Sequence, residues 1–157
     1  MATRSEKDAC DLLDTDHKNV KKMFKAYEEL MKSRGRTAAQ KKMELARQIC
    51  GELTVHAKIE EEIFYPAVKA ALKDTELVPE ATVEHATLKD LIAQVEGVQP
   101  DGEMFDAKIK VLSEYVKHHV KEEHTEMFPK AKATKLDMLE LGAQIAARKS
   151  ELMAMRA

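Results

Sequence analysis

The stretch His119-Val-Lys-Glu-Glu123-His-Thr-Glu-Met-Phe-Pro129 has an earlier near copy in the same chain, His56-Ala-Lys-Ile-Glu60-Glu-Glu-Ile-Phe-Tyr-Pro66. Residues four apart on an α-helix stand one above the other on nearly the same face, so each copy aims one imidazole and one carboxylate at a common point. A single such pair also occurs on solvated helix surfaces, where it is a weak contact. The apolar residues around it separate the two cases. Phe105, Ile109, Leu112 and Val116 lead into His119, Glu123 and Met127, and Leu45, Ile49 and Leu53 lead into His56 and Glu60. In both copies the polar residues occupy positions on a core stripe, where a polar group needs a partner.

Two more histidines intrude on apolar stripes. His17 lies in the series Leu13, Val20, Phe24, Tyr27 and Met31, and His85 in Val78, Ala81, Leu88, Ile92 and Val95. Glycine and proline are few, Ala, Lys, Glu, Leu and Met are many, and no stretch alternates as a strand would, so helix is expected nearly throughout. The pattern predicts helices over 7–33, 38–65, 75–96 and 103–128. Gly35 marks a break before a cap at Thr37, a kink or break is expected at Pro66 ahead of a short continuation to Lys73, and the fourth helix is expected to stop at Pro129. Asp74 or Thr75 should start the third helix, and Pro100-Asp-Gly102 reads as a turn. A further helix is expected over 136–153, packed on the outside. Residues 7–73 and 75–129 thus read as two comparable hairpins. Short connections make sequential helices antiparallel neighbours, giving an all-α, up-down-up-down four-helix bundle with an extra C-terminal helix. At 157 residues the chain is expected to be one domain, with the bundle over about 7–129.

Such a bundle brings His17, His56, Glu60, His85, His119 and Glu123 together in its core. Imidazole nitrogen with carboxylate oxygen suits first-row metals, and the absence of thiolates on these stripes argues against iron–sulfur or thiolate zinc sites. Two carboxylates among four imidazoles point to two ions, since one ion with six protein ligands would be saturated. Iron is the first choice, ahead of manganese or zinc. Ferritin-like bundles use Glu-x-x-His, but Leu53, Thr82 and Val116 stand three residues before His56, His85 and His119. No zinc-protease motif or phosphate loop is present.

The remaining composition narrows the setting. With 26 basic and 28 acidic residues interspersed, no nucleic-acid partner is expected. Lys130, Lys132 and Lys135 follow a helix end, where cations suit the exposed carbonyls. No apolar run approaches the roughly 20 residues of a membrane span, and the first residues lack the apolar centre of a signal peptide. Cys10 and Cys50 read as packing thiols in a reducing compartment. A soluble cytoplasmic protein with no membrane partner is the expectation.

With His17, His56-x-x-x-Glu60, His85 and His119-x-x-x-Glu123, and with the endings Phe64-Tyr-Pro66 and Met127-Phe-Pro129, residues 9–129 resemble the hemerythrin-like HHE cation-binding domain. The resemblance implies a non-haem di-iron centre of two iron ions, with Glu60 and Glu123 bridging and the four histidines as terminal ligands. One departure matters. The oxygen-carrying members have a fifth histidine four residues from the position of His85, where this chain has Ala81 and Lys89. Water or another side chain, Tyr115 being one candidate, is expected to complete the second iron. His118 and His124 fall on other faces and outside the predicted site. The functional expectation is binding of O2 or a related small ligand such as NO or peroxide. The alternatives are a di-iron enzyme with catalase-like or nitric oxide-handling activity, and an iron sensor or store.

Overall fold

A computed structural model describes residues 7–73, 76–97 and 103–156, and every regular element among them is helical. Helix α1 (Ala9–Met31) starts behind a reciprocal cap in which the Asp11 backbone N–H donates to Asp8 Oδ1 at 2.9 Å and the Asp8 N–H donates to Asp11 Oδ2 at 3.2 Å. Two otherwise orphaned donors are thereby satisfied. Helix α2 (Arg36–Ile59) begins ahead of the expected cap at Thr37, because Gly35, at φ +104°, makes the turn that a side-chain-bearing residue resists. The expected starts at Asp74 or Thr75 and the turn at Pro100-Asp-Gly102 lie outside the described residues.

The short continuation expected to Lys73 is present, but at Pro66, where a kink or break is expected, and at Pro129, where a stop is expected, the chain takes another course. Proline offers no N–H and its ring presses on the carbonyl four residues back. Here the helix widens before each proline. Glu60–Phe64 and Glu123–Met127 form single π turns, closed by the Tyr65 N–H donating to the Glu60 carbonyl and the Phe128 N–H donating to the Glu123 carbonyl. Each proline then falls in the first turn of the next helix, α3 (Tyr65–Leu72) or α6 (Phe128–Lys132), where its missing donor costs nothing. Lys73, in the left-handed region at φ 53°, ends α3.

Helices α4 (Leu77–Gly97) and α5 (Glu103–Glu122) complete the bundle with α1 and α2. Its apolar interior falls into two clusters. One gathers Leu13, Ile59, Phe64, Val68, Val78 and Met127, the other Val20, Ile49, Leu53, Leu88, Ile109 and Leu112. The sequence passes from the first cluster to the second along α1 and α4 and back along α2 and α5, the up-down-up-down order expected. His17, His56, His85 and His119 each stand where their helix crosses between the clusters. The two apolar blocks therefore clamp one polar layer.

Helix α7 (Met138–Arg156) lies along α1 and α2, with Leu141, Ile145 and Leu152 buried in the first cluster. Its approach is close: a Cβ on Gly142 would stand 2.6 Å from the Lys7 carbonyl oxygen and 2.9 Å from the Asp8 carbonyl carbon. Alanine is otherwise the better helix former by about 1 kcal/mol, so Gly142→Ala tests this contact by sign. Overpacking against rigid backbone is expected to win and lower Tm by on the order of 2–12 °C in thermal unfolding; a higher Tm would refute the contact. Cys10 and Cys50 are both buried and unpaired, and burial pushes each thiol up to about 12, so neither is poised as a nucleophile.

Candidate metal centre

All six sequence-predicted residues meet in the polar layer. Glu60 and Glu123 are 0% and 1% exposed, and the four histidines 2–8%. One donor group comprises His17, His56, Glu60 and Glu123, the other Glu60, His85 and His119, with donor atoms in each within 4.8 Å of one another. His17 Nε2 lies 3.2 Å from His56 Nε2 and 3.1 Å from Glu123 Oε1. His85 Nε2 lies 3.2 Å from His119 Nε2 and 3.0 Å from Glu60 Oε1. Glu60 belongs to both groups, and Glu123 Oε2 reaches to 3.4 Å from His119 Nε2.

Behind the imidazoles runs a closed ring of orienting contacts that sequence reasoning missed. Asp16 Oδ2 on α1 stands 2.8 Å from His56 Nδ1, and Glu61 Oε2, in the first π turn, 2.7 Å from His85 Nδ1. Glu84 Oε1 on α4 stands 2.6 Å from His119 Nδ1, and His124 Nε2, in the second π turn, 3.1 Å from His17 Nδ1. Each orienting residue is the immediate neighbour of one predicted ligand and serves a ligand on the next element round. His124, excluded on its helical angle, is thus in contact with the site, with Asp14 Oδ1 3.1 Å from the same nitrogen. Helix α7 joins the ring through Lys149, whose Nζ donates to Asp16 Oδ1 at 2.5 Å. His118 is on the surface at 65% exposure, and Tyr115, at 47%, is far too open to be buried in the centre.

Tyr65, which the sequence reading left out of the site, reaches the second donor group. Its hydroxyl lies 3.2 Å from His85 Nε2 and 3.1 Å from His119 Nε2, and donates to Glu123 Oε2 at 2.5 Å. Burial and then the charges of Glu60 and Glu123 hold its pKa well above the usual phenol range. In the second copy the same position past the π turn is Phe128, which stacks on His17 at 6.0 Å between ring centroids. The two halves are therefore chemically unequal: a hydroxyl faces one donor group and a phenyl ring the other.

This donor set fits a metal. Carboxylates only accept, so His56, His85 and His119 donate through Nδ1 and turn an Nε2 lone pair inward, the orientation seen behind metal-ligating histidines. Without a cation, protons must substitute: burial opposes charge on His56, but Glu60 and Asp16 outweigh it and raise its pKa to about 10. On His119, Glu123 and Glu60 likewise overcome burial and raise the pKa to about 12. Burial also works against ionised Glu60, yet His56 holds its carboxyl well below the usual range. Protons leave the arrangement incomplete, because buried Glu60 Oε2 and Glu123 Oε1 make no hydrogen bond and have only charge contacts, with His56 Nε2 at 3.3 Å and His17 Nε2 at 3.1 Å.

Three openings adjoin the layer. A cavity of about 140 Å³ touches all four histidines and is otherwise walled chiefly by Val20, Leu53, Leu88, Ile92 and Val116. A groove of about 720 Å³ between α1 and α5 has Phe24, Val116 and Val120 among its lining and reaches His17 and His124. It carries Lys18, Lys21, Lys25, Lys110, Lys117 and Lys121, of which only Lys18 makes an ion pair among the described residues, with Asp14. A small crevice between α4 and the end of α5 has Glu80, Glu84 and Glu122 among its lining and reaches His119 and Glu123.

Comparison with known proteins agrees with this architecture. The model of the hemerythrin HHE cation binding domain matches residues 8–131. A DNA nickase from Nostoc sp. (strain PCC 7120 / SAG 25.82 / UTEX 2576) is 30% identical over 118 residues, 75% of this chain and 32% of that protein. The chain thus spans about a third of that relative's length. The crystal structure of a hemerythrin HHE cation binding domain-containing protein from Mycobacterium kansasii shares the fold, with a TM-score of 0.78 over 95% of this chain and 89% of that one, at 23% identity.

Proposed function

The chain belongs to the hemerythrin HHE cation-binding domain family, and on that premise we propose that it holds two iron ions and binds O2, NO or peroxide beside them. His17 and His56 would hold one ion, His85 and His119 the other, with Glu60 and Glu123 shared between them. The observation that carries this reading is the convergence of inward nitrogens on two fully buried carboxylate oxygens that make no hydrogen bond. When bound, the iron pair supplies an electron-rich centre for a small oxidant or diatomic ligand. The chain's own residues supply the rest. The ring of Asp16, Glu61, Glu84 and His124 fixes the imidazoles, and the largely apolar cavity receives the ligand. At about 140 Å³ it is close to the roughly 150 Å³ apolar cavities that stay dry yet take up small apolar guests.

The test is elemental analysis of aerobically purified protein, followed by anaerobic reduction and addition of O2, NO or peroxide under optical observation. About two irons per chain and a ligand-dependent spectrum support the reading. A folded protein without metal overturns it.

Tyr65 takes the place of the missing fifth histidine in this reading, as a phenolate ligand of the iron held by His85 and His119. Tyr65→Phe is expected to keep both metals but lose the visible phenolate-to-iron(III) absorption of the oxidised protein. An unchanged spectrum would reduce Tyr65 to a hydrogen-bond donor for Glu123.

A second reading, metal-dependent cleavage of a nucleic-acid strand, is favoured by the lysine groove that ends at His17. Near-neutral composition conceals it, because folding collects on one groove lysines that the sequence intersperses with acids. Such a groove can track a single-stranded backbone, with strong salt dependence. Metal-dependent nicking of supercoiled plasmid that Lys117→Glu/Lys121→Glu abolishes would support this reading; no nicking by the iron-loaded protein would dismiss it.

A further inference from the structure

The two surface approaches to the buried layer carry opposite charge. Over His17 the α1–α5 groove is lined by six lysines against two acids, Asp14 and Glu28. Over His119 the crevice between α4 and the end of α5 is lined by Glu80, Glu84 and Glu122. His118, one turn before Glu122, presents Nε2 at 3.5 Å from Glu122 Oε1 and 3.6 Å from Glu84 Oε2. These three donors lie within the span of a single ion. The inner end of the same crevice is formed by His119 and Glu123, whose Oε2 stands 3.4 Å from His119 Nε2.

We propose that Glu84, His118 and Glu122 form an outer site for a divalent cation, through which iron(II) passes between solvent and the buried centre. Three features make it a transit site. It mixes imidazole nitrogen with carboxylate oxygen, the chemistry of the inner donors, so an ion exchanges like ligands as it moves. It is open to water, His118 being 65% and Glu122 45% exposed, so the ion is held weakly. It is joined to the centre by one side chain, since Glu84 Oε1 contacts His119 Nδ1 while its Oε2 faces the outer site. Field focusing raises the local concentration of a cation at an acidic mouth and lowers it at a basic one. A cation is therefore directed to the α4–α5 side and away from the lysine groove, which is left to neutral or anionic ligands.

This inference rests on the inner residues holding metal, and the experiment separates the two. Iron-loaded protein is incubated anaerobically with isotopically distinct iron(II), and exchange into the buried centre is followed by mass spectrometry. The altered residues are exposed His118 and half-buried Glu122, which form no hydrogen bond or ion pair with the inner donors among the described residues; Glu84 is left in place because it orients His119. His118→Ala/Glu122→Gln is expected to slow exchange on the order of tenfold with iron content per chain unchanged. Lys117→Glu/Lys121→Glu, on the other side, is expected to leave the rate within about twofold on the same scale. Unaltered iron content with no slowing in the first variant, or equal slowing in both, overturns the outer site. An absence of iron from the unaltered protein overturns the inner reading instead.

Discussion

Glu60→Gln protein is expected to purify folded but with less than half the metal of the unaltered chain. Glu60 is wholly buried, belongs to both donor groups and lies 3.3 Å from His56 Nε2 and 3.0 Å from His85 Nε2. The amide keeps the shape and removes the charge that would offset bound cations in a medium where charge is poorly screened. Loss of residues that merely orient ligands costs about 10–100-fold in metal affinity, and loss of a shared ligand should cost more. Elemental analysis with circular dichroism on the same sample checks both halves of the expectation. Full metal content in a folded Glu60→Gln chain would remove this carboxylate from the centre.

Stripping the metal with a chelator is expected to lower Tm by on the order of 10 °C. A ligand present at about a thousand times its Kd stabilises by about 4 kcal/mol, and for a chain of this size each kcal/mol moves Tm by about 2–4 °C. The metal-free core must also accommodate two buried carboxylates and four imidazoles without a central cation. The loss should grow with pH. His56 and His119 have pKa values raised to about 10 and about 12 in the metal-free fold, against about 6.5 in an unfolded chain. The folded state then holds protons that the unfolded state releases, so this contribution is complete below about pH 6.5 and drains away as pH rises toward 10. Thermal unfolding of stripped and loaded protein between pH 6 and 9 measures it. Superimposable curves would mean the layer is stable without metal.

The bundle and the six polar residues turned into its core were legible because both depend on one periodicity. His17, His56, His85 and His119 interrupt stripes stepping by three and four, and those stripes need no tertiary information to be seen. The orienting ring was not legible. Asp16, Glu61, Glu84 and His124 are each one residue from a ligand, about 100° off its face, and whether that direction meets solvent or a neighbouring helix depends on interhelical rotation and height. Adjacent ligand and acid, as in Asp16-His17, Glu60-Glu61 and Glu84-His85, was the only available signal. Tyr65 was hidden differently. Five residues beyond Glu60 on an α-helix it would be turned about 140° away, but the π turn places its N–H on the Glu60 carbonyl and its side chain over the site.

Those two turns make the stretch sensitive to counting. From His56 to Pro66, and again from His119 to Pro129, the chain advances ten positions. Removing one residue inside either π segment, even one that touches nothing in the centre, would restore ordinary α spacing and rotate all that follows by about 100°. In the first copy Tyr65 would swing off the donors, and in the second Phe128 would leave the face of His17. The connections between helices can lengthen or shorten at small cost. Within these ten positions the number of residues is as much a part of the site as their identity.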